Sequence, residues 1–160
     1  MFKKILIANR GEIACRIIST AKKMGIKTVA VYSDVDKFAT HVFLADESYY
    51  IGESTADKSY LDKEKIIEAM HKTGSEAVHP GYGFLSENAS FAKLVEDNGF
   101  VFIGPSSEAI ELMGDKISSK KLAEKAGVSI VPGFLGEVTS KDHALGLARD
   151  IGLPVLIKAS

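Results

Sequence analysis

The chain has 160 residues, of which 46% are apolar and 26% are charged, and its net charge is −1. These values are typical of one globular domain, or of one domain with part of a second. Lys and Arg form no basic stripe of the kind that nucleic-acid binders carry, and the apolar runs are far shorter than a membrane span. With one cysteine, Cys15, and no signal-peptide pattern after Met1, we expect a cytoplasmic protein with its natural N-terminus.

One pattern recurs along the chain: an amphipathic segment ends in glycine, and a short run rich in Val and Ile follows. These glycines are Gly25, Gly74, Gly99, Gly127 and Gly152. Glycine adopts the left-handed conformation that ends many helices, and short apolar runs are typical of strands buried on both faces. The alternation predicts a doubly wound, mainly parallel, Rossmann-like α/β sheet. Its strands are expected near residues 4–8, 27–32, 48–51, 76–79 and 100–103.

The segments between these strands have apolar residues at helical spacing. The apolar face of the first helix comprises Ala14, Ile17, Ile18 and Ala21. Further helices are expected over residues 61–73 and 88–98. Ser59-Tyr60 and Ser86-Glu87 precede them and are the candidate N-terminal caps.

The spacing changes after Pro105, and we place a domain boundary between a first domain, residues 1–113, and a second, residues 114–160. The elements expected around and beyond it are helices near 106–113, 117–126 and 140–151 and a strand at 154–158. A compact domain rarely ends on a buried strand that has no neighbour. We therefore expect the second domain to be truncated.

The turn over residues 7–13 joins the first strand to the first helix, where open α/β sheets usually bind ligands. A dinucleotide site would need Gly-x-Gly-x-x-Gly at this turn, but only Gly11 is present. Asp34, after the second strand, could imitate the acid that holds a ribose, although without the glycines this evidence is weak. The local sequence favours an ordinary tight turn in which Asn9 caps the helix.

The loop over residues 79–88, His-Pro-Gly-Tyr-Gly-Phe-Leu-Ser-Glu-Asn, follows the strand near 76–79. It brings an imidazole, an aromatic ring and a carboxylate close together, and such a loop could hold a planar polar ligand. The alternative is a connecting loop in which Phe84 and Leu85 fill the core and Glu87 caps the next helix. We expect His79 to be a hydrogen-bonded structural residue, because no second His or Cys lies at zinc-ligand spacing.

Four further side chains are ordinary on local sequence alone. Lys116, in Met-Gly-Asp-Lys, could meet a phosphate but is also a common solvated residue at a helix start. Lys158, at the end of the predicted strand, must leave the core or find an anion. Cys15 is expected to pack beside the apolar face of the first helix, and Arg16 is its solvated neighbour.

In combination these motifs are far more specific than any one of them. The order Ala-Asn-Arg-Gly-Glu-Ile-Ala, the ten-residue loop, Phe-Ile-Gly-Pro, Met-Gly-Asp-Lys and Pro-Val-Leu-Ile-Lys-Ala-Ser resembles biotin carboxylase over the whole chain. Residues 13–16 and 22–28 most resemble the propionyl-CoA carboxylase branch, with the acetyl-CoA and pyruvate carboxylase branches as alternatives. The resemblance implies a pre-ATP-grasp domain over residues 1–113 and the truncated start of an ATP-grasp domain over residues 114–160.

The resemblance also implies a reaction and its partners. ATP phosphorylates bicarbonate to carboxyphosphate, with Mg²⁺ or Mn²⁺ bridging the phosphates, and biotin on a carrier domain is then carboxylated. A carboxyltransferase subunit transfers the carboxyl group onward, and the complete enzyme is expected to be a homo-oligomer. Nucleic acid and membrane are not expected as partners.

Six residues receive roles by the same resemblance. Lys116 and Lys158 are expected to contact ATP, and Arg16 to lie at a homodimer interface. The expected biotin pocket includes Tyr82, Gly83 and Glu87. The glycine-rich phosphate loop, metal-binding glutamates and catalytic base of the family have no match here, so no catalytic or metal-ligating residue is assigned. We therefore expect the chain alone to be inactive.

Two other function classes remain as alternatives. A Rossmann-type oxidoreductase domain would share the fold, but the missing glycine fingerprint argues against it. A non-catalytic scaffold that docks a partner protein would leave the 79–88 loop with a purely structural role.

Overall fold

The computed structural model describes residues 1–114, 116–131, 133–134 and 136–157, with only the backbone of residues 116 and 117. The chain divides into two compact units, Met1–Ile110 and Glu111–Ser160. The domain boundary near residue 114 remains a prediction. No helix in the described part of the chain is both long and apolar enough to cross a bilayer.

The first unit is built around a sheet of five parallel strands. They are β1 (Lys4–Ile7), β2 (Lys27–Ser33), β3 (Glu47–Gly52), β4 (Ala77–His79) and β5 (Val101–Phe102). The strand order is β3-β2-β1-β4-β5, so the chain winds outward in both directions from β1. The predicted doubly wound α/β fold is confirmed, and every predicted strand end lies within one residue of the observed one.

Helices cover both faces of this sheet. They are α1 (Gly11–Lys23), α2 (Thr40–Leu44), α3 (Lys63–Thr73), α4 (Ala89–Asp97) and α5 (Ser107–Gly114). Successive strand residues point to opposite faces, and two apolar clusters result. Leu6 packs in one cluster with buried residues of α3 and α4. Ile5 and Ile7 pack in the other with the buried face of α1.

The helix caps differ from those expected. Asp62 caps α3 by accepting a hydrogen bond from the Lys65 amide, at 3.2 Å, and Asn88 caps α4 in the same way. The caps expected for α3 were wrong because the Ser59 hydroxyl donates to the Thr55 carbonyl at 2.7 Å and Tyr60 is buried in the core. Those expected for α4, Ser86 and Glu87, were wrong because Asn88 occupies the cap position. A cap must project toward the first helical turn, which these residues do not do.

Three short elements between β2 and α3 have no counterpart among the predicted helices. They are α2 and two 3₁₀ turns, Asp34–Asp36 and Ala56–Lys58. Each is five residues or shorter, which is too short for an apolar period to show. Tertiary contacts define them instead, since α2 carries the fully buried His41, whose Nε2 lies 3.3 Å from the Val31 carbonyl oxygen of β2.

The second unit contains two further helices, α6 (Lys116–Lys125) and α7 (Lys141–Ile151). Both lie within one residue of their predicted bounds. The predicted strand at 154–158 is wrong over its described residues, 154–157, which form no strand. A strand is stable when its backbone pairs with a neighbour, and the described part of this unit offers no second strand.

Candidate functional site

The carboxyl ends of β1 and β4 lie side by side in the sheet. Ile7 is in register with His79, and the Ala8 amide donates to the His79 carbonyl at 3.0 Å. The strand order reverses direction at β1, so the connections leaving these two ends diverge and open a crevice. This switch point is where open α/β sheets bind their ligands. The fold therefore brings the 7–13 turn and the 79–88 loop together at the edge of the sheet where both were predicted to lie.

Asn9 joins the turn to the loop. Its Nδ2 donates to the Pro80 carbonyl at 2.7 Å and to the Tyr82 carbonyl at 2.8 Å, while its Oδ1 accepts from the Arg10 amide at 2.9 Å. The side chain is almost fully buried, and these bonds satisfy its amide. The expected helix cap at Asn9 is therefore wrong, because α1 begins one residue later and Arg10 stands at its cap position without a side-chain bond.

Between the turn and the loop lies an open cleft of about 340 Å³. Its lining comprises Asn9, Arg10, Gly11, Glu12, Ile13, Tyr82, Gly83 and Phe84. The Tyr82 ring is 63% exposed, and its hydroxyl is 3.4 Å from a carboxylate oxygen of Glu12. The cleft thus offers an aromatic face, a carboxylate and the first turn of α1. This combination suits a flat ligand with polar edges better than nucleophilic chemistry.

An ionic network centred on the buried Asp36 holds the 7–13 turn through Arg10. Arg10 forms a two-pronged bond with Asp36, Nε to Oδ2 at 2.7 Å and Nη2 to Oδ1 at 2.6 Å. The Tyr60 hydroxyl donates to the same carboxylate at 2.7 Å, and Ser33 Oγ is 3.3 Å away. Sequence analysis had singled out Asp34 rather than Asp36. Both follow β2, and only the folded chain shows which one faces inward.

The network shifts the acidity of its members. The hydrogen bond from Arg10 holds the pKa of Asp36 below its usual value, against the opposing effect of burial, and the Tyr60 bond adds to the lowering. The same ion pair raises the pKa of Arg10. Burial, followed by the bond to Asp36, raises the pKa of Tyr60 to about 12. The network therefore favours the charged form of the buried Asp36, which one cation and neutral donors hold.

Phe84 has an unusual backbone conformation for a residue with a bulky side chain, with φ of 42°. Such left-handed conformations cost roughly 1–3 kcal/mol in a residue other than glycine and persist only where surrounding contacts impose them. The Phe84 ring lies parallel to the Tyr60 ring, at 5.2 Å between centroids and 9° between planes. The structural alternative for this loop placed Phe84 and Leu85 in the core; Leu85 is buried there, whereas Phe84 is 37% exposed and lines the cleft.

His79 supports the loop at its first residue. Its Nδ1 accepts a hydrogen bond from the Gly81 amide at 3.1 Å, which is the structural role that the sequence predicted. Burial lowers the pKa of His79, and the positive charge of Arg16 lowers it further. Arg16 itself is exposed on α1. Its neighbour Cys15 is partly buried on the same helix, and burial raises its thiol pKa, as expected of a packing residue.

Of the remaining predicted site residues, the two that the structure describes in full, Glu87 and Asp34, do not line the cleft. Glu87 is exposed in the loop and does not line the cleft. Lys116 begins α6, but its side chain lies outside the described residues, and Lys158 lies outside them altogether. Asp34, the weak candidate for holding a ribose, instead accepts a 2.9 Å hydrogen bond from the Tyr50 hydroxyl.

A larger open cavity, of about 590 Å³, lies at the opposite edge of the sheet. Phe2, Glu76 and Phe100 line it, and each precedes a strand. Parallel sheets bind ligands at their carboxyl edge rather than at this amino edge. We therefore regard the smaller cleft as the candidate site, despite its lower volume.

Two family models match the chain. One, described as the biotin carboxylase N-terminal domain, matches residues 1–110. The other, described as the ATP-binding domain of the carbamoyl-phosphate synthase L chain, matches residues 115–160. The first model alone accounts for more than half of the chain.

The similar proteins are much longer than this chain. The propionyl-CoA carboxylase alpha chain of Ruegeria pomeroyi is 58% identical over 160 residues, which is all of this chain and 24% of that protein. The mitochondrial propionyl-CoA carboxylase alpha chain of Sus scrofa is 60% identical over 159 residues, or 99% of this chain and 22% of that protein. The chain therefore spans about a quarter of the length of these curated relatives.

One similar solved structure is the biotin carboxylase domain of the 2-oxoglutarate carboxylase from Hydrogenobacter thermophilus. It is a dimer in complex with MgADP, ADP and bicarbonate. Its TM-score with this chain is 0.88 at 51% sequence identity, over 96% of this chain and 34% of that one. The similarity therefore extends over nearly all of this chain and about a third of that one.

Proposed function

Because the chain belongs to the family of biotin carboxylase N-terminal domains, we propose that it forms the first part of the biotin carboxylase component of a biotin-dependent carboxylase. The two relatives described above are propionyl-CoA carboxylase alpha chains, which supports that branch over the acetyl-CoA and pyruvate branches. The acyl-CoA substrate would be chosen by a separate carboxyltransferase subunit.

The proposed reaction carboxylates biotin on a carrier domain, with ATP and bicarbonate as co-substrates and carboxyphosphate as the intermediate. The ADP and bicarbonate bound to the Hydrogenobacter thermophilus domain support this choice. Magnesium accompanies the nucleotide in that protein, and we propose Mg²⁺ or Mn²⁺ here. The described residues contain no cluster of three or more metal-ligating side chains.

The observation that carries the proposal is the cleft at the switch point between β1 and β4. Biotin presents a flat ureido ring with polar edges, and the exposed Tyr82 ring offers a face of matching shape. Gly83, with a φ of 66°, turns the backbone beside that ring. We propose that Tyr82 and Gly83 form one wall of the biotin pocket, with Glu87 as an acidic neighbour outside the cleft.

The experiment that tests this function replaces Tyr82 with Ala in the complete carboxylase. The expected result is a rise in KM for free biotin of about tenfold, since loss of an aromatic contact is worth about 1.4 kcal/mol. The KM for ATP should stay close to the wild-type value. Tyr50→Ala is the matched control, because Tyr50 is also exposed but does not line the cleft. Unchanged biotin kinetics in Tyr82→Ala would leave the loop with a structural role only.

Partners and location follow from the same proposal. We propose a biotin carrier domain and a carboxyltransferase subunit as partners, and homo-oligomerisation of the complete enzyme. The exposure of Arg16 on α1 and the dimeric state of the Hydrogenobacter thermophilus domain support an interface role for Arg16. Lys116 and Lys158 are proposed to contact ATP. Cytoplasmic location stays a prediction, since the similar relatives include a mitochondrial protein.

A further inference from the structure

We propose that Tyr60 is a positioning residue. Without lining the cleft itself, it holds the two walls of the cleft, the 7–13 turn and the 79–88 loop, in fixed positions relative to each other. Arg10 belongs to one wall and Phe84 to the other, and both line the cleft. Tyr60 and Asp36 line neither wall, yet they connect the two through direct contacts. The role of the cleft in biotin binding rests on the proposed function, whereas the locking of its walls does not.

The lock begins at the Asp36 carboxylate. Its side chain is 5% exposed, and it accepts hydrogen bonds from three different side chains, those of Arg10, Tyr60 and Ser33. A buried carboxylate with this many donors has one favourable orientation, because rotation would leave a charge unpaired in the interior. Asp36 therefore fixes both the Arg10 guanidinium and the Tyr60 hydroxyl in space.

Tyr60 transmits this fixed position to the loop. Its hydroxyl donates to Asp36 at 2.7 Å and accepts from the Ser33 amide at 3.2 Å, so the hydroxyl is held from two sides. The ring is 2% exposed and lies flat against the Phe84 ring. With the hydroxyl anchored and the ring confined, the Tyr60 face provides a rigid surface on which Phe84 rests.

Phe84 is the part of the loop that this surface controls. Its positive φ follows the positive φ of Gly83, and Tyr82 directly precedes that pair. Two successive left-handed residues set the direction in which the Tyr82 ring leaves the loop. If the stack loosened, Phe84 would relax toward an ordinary backbone conformation, and the Tyr82 ring would move with it. Tyr60 thus acts on the cleft without touching a ligand.

The first test uses hydrogen exchange in the 160-residue chain and needs no activity. Tyr60→Phe keeps the stacked ring but removes the bond to Asp36. We expect the amides of Gly81 and Ser86 to exchange about tenfold faster, the scale of one lost bond to a charged group. The amides of Leu6 and Val29, in the centre of the sheet, should keep their wild-type rates. Tyr49→Phe is the matched control, because it removes a tyrosine hydroxyl that bonds Glu68 at an exposed site.

Two outcomes of this test would overturn the proposal: loop amides at their wild-type rates, or equal acceleration of the loop and the sheet centre, which would indicate general destabilisation. Phe84→Leu examines the same contact from the loop side and should accelerate the same loop amides. Its failure to do so would also count against the lock.

The second test uses the complete carboxylase. Tyr60→Phe should raise the KM for free biotin about tenfold while the KM for ATP changes little, because only the biotin-facing wall loosens. A parallel loss for both substrates would contradict a positioning role. If the exchange test succeeds but wild-type enzyme fails to carboxylate biotin, the proposed function is wrong while the lock between the cleft walls stands.

Discussion

At the scale of single residues, Gly81 shows how closely the loop approaches the turn. Its φ is +69°, and a Cβ added there would lie 2.7 Å from Nδ2 and 3.1 Å from Cγ of Asn9. The Asn9 side chain cannot move aside without breaking its bonds to the Pro80 and Tyr82 carbonyls. The position therefore excludes a side chain for two reasons, backbone conformation and space.

We predict that Gly81→Ala lowers the free energy of unfolding by more than the roughly 1 kcal/mol that a left-handed alanine alone costs. Gly83→Ala is a closely matched control, because Gly83 has a φ of +66° but no atom within 4 Å of its added Cβ. Urea denaturation of both variants gives the comparison. Equal losses for the two variants would show that Asn9 tolerates the approach and that its bonds do not hold the loop.

At the scale of secondary structure, the start of α4 distinguishes two neighbouring candidates for its cap. Asn88 Oδ1 accepts from the Phe91 amide at 2.9 Å, while Glu87 is exposed. We predict that Asn88→Ala destabilises the chain by about 1 kcal/mol, the usual cost of a lost cap. Glu87→Ala should change stability by less than about 0.5 kcal/mol. Thermal unfolding measures both effects. A larger effect for Glu87→Ala than for Asn88→Ala would support Glu87 as the cap, as the sequence predicted.

The elements that sequence analysis predicted well are those whose signal is local. The strands β2, β4 and β5 each follow a glycine, and the helices α1, α3 and α4 each have a buried apolar face, so apolar periodicity and glycine positions predict these elements. The helix α2 had no such signal, whereas the 154–157 segment had the signal of a strand after Gly152 but forms none. The first is defined by the burial of His41, and the second would need a pairing partner. Both depend on what lies nearby in space.

At the scale of the whole molecule, the candidate site combines residues that are distant in sequence. Asn9 and Tyr82 are separated by 73 positions, Arg10 and Asp36 by 26, and Tyr60 and Asp36 by 24. The two motifs that form the cleft could be predicted, because each follows a strand at the edge that binds ligands. Their attachment through Asn9, Asp36 and Tyr60 could not, since no local pattern states which side chains face inward.

The distribution of glycines over the whole chain bears on what the chain can bind alone. Tight phosphate binding relies on several converging backbone amides, usually from a glycine-rich loop. No two of the 14 glycines in this sequence are adjacent. The closest pair, Gly81 and Gly83, lies in the loop beside the Tyr82 ring rather than beside a lysine. The proposed ATP contacts, Lys116 and Lys158, are point charges that cannot replace such a loop.

We predict that calorimetry of the 160-residue chain with MgATP detects no stoichiometric binding at micromolar affinity. In the complete carboxylase, Lys116→Met should raise the KM for ATP by about tenfold or more, because a charge-assisted phosphate contact is worth about 1.5–3 kcal/mol. Lys125→Met is the matched control, since Lys125 lies in the last turn of the same helix. Micromolar binding by the chain alone would mean that its own backbone supplies the phosphate site. The proposal that the phosphate site needs a glycine-rich loop from elsewhere in the enzyme would then be wrong.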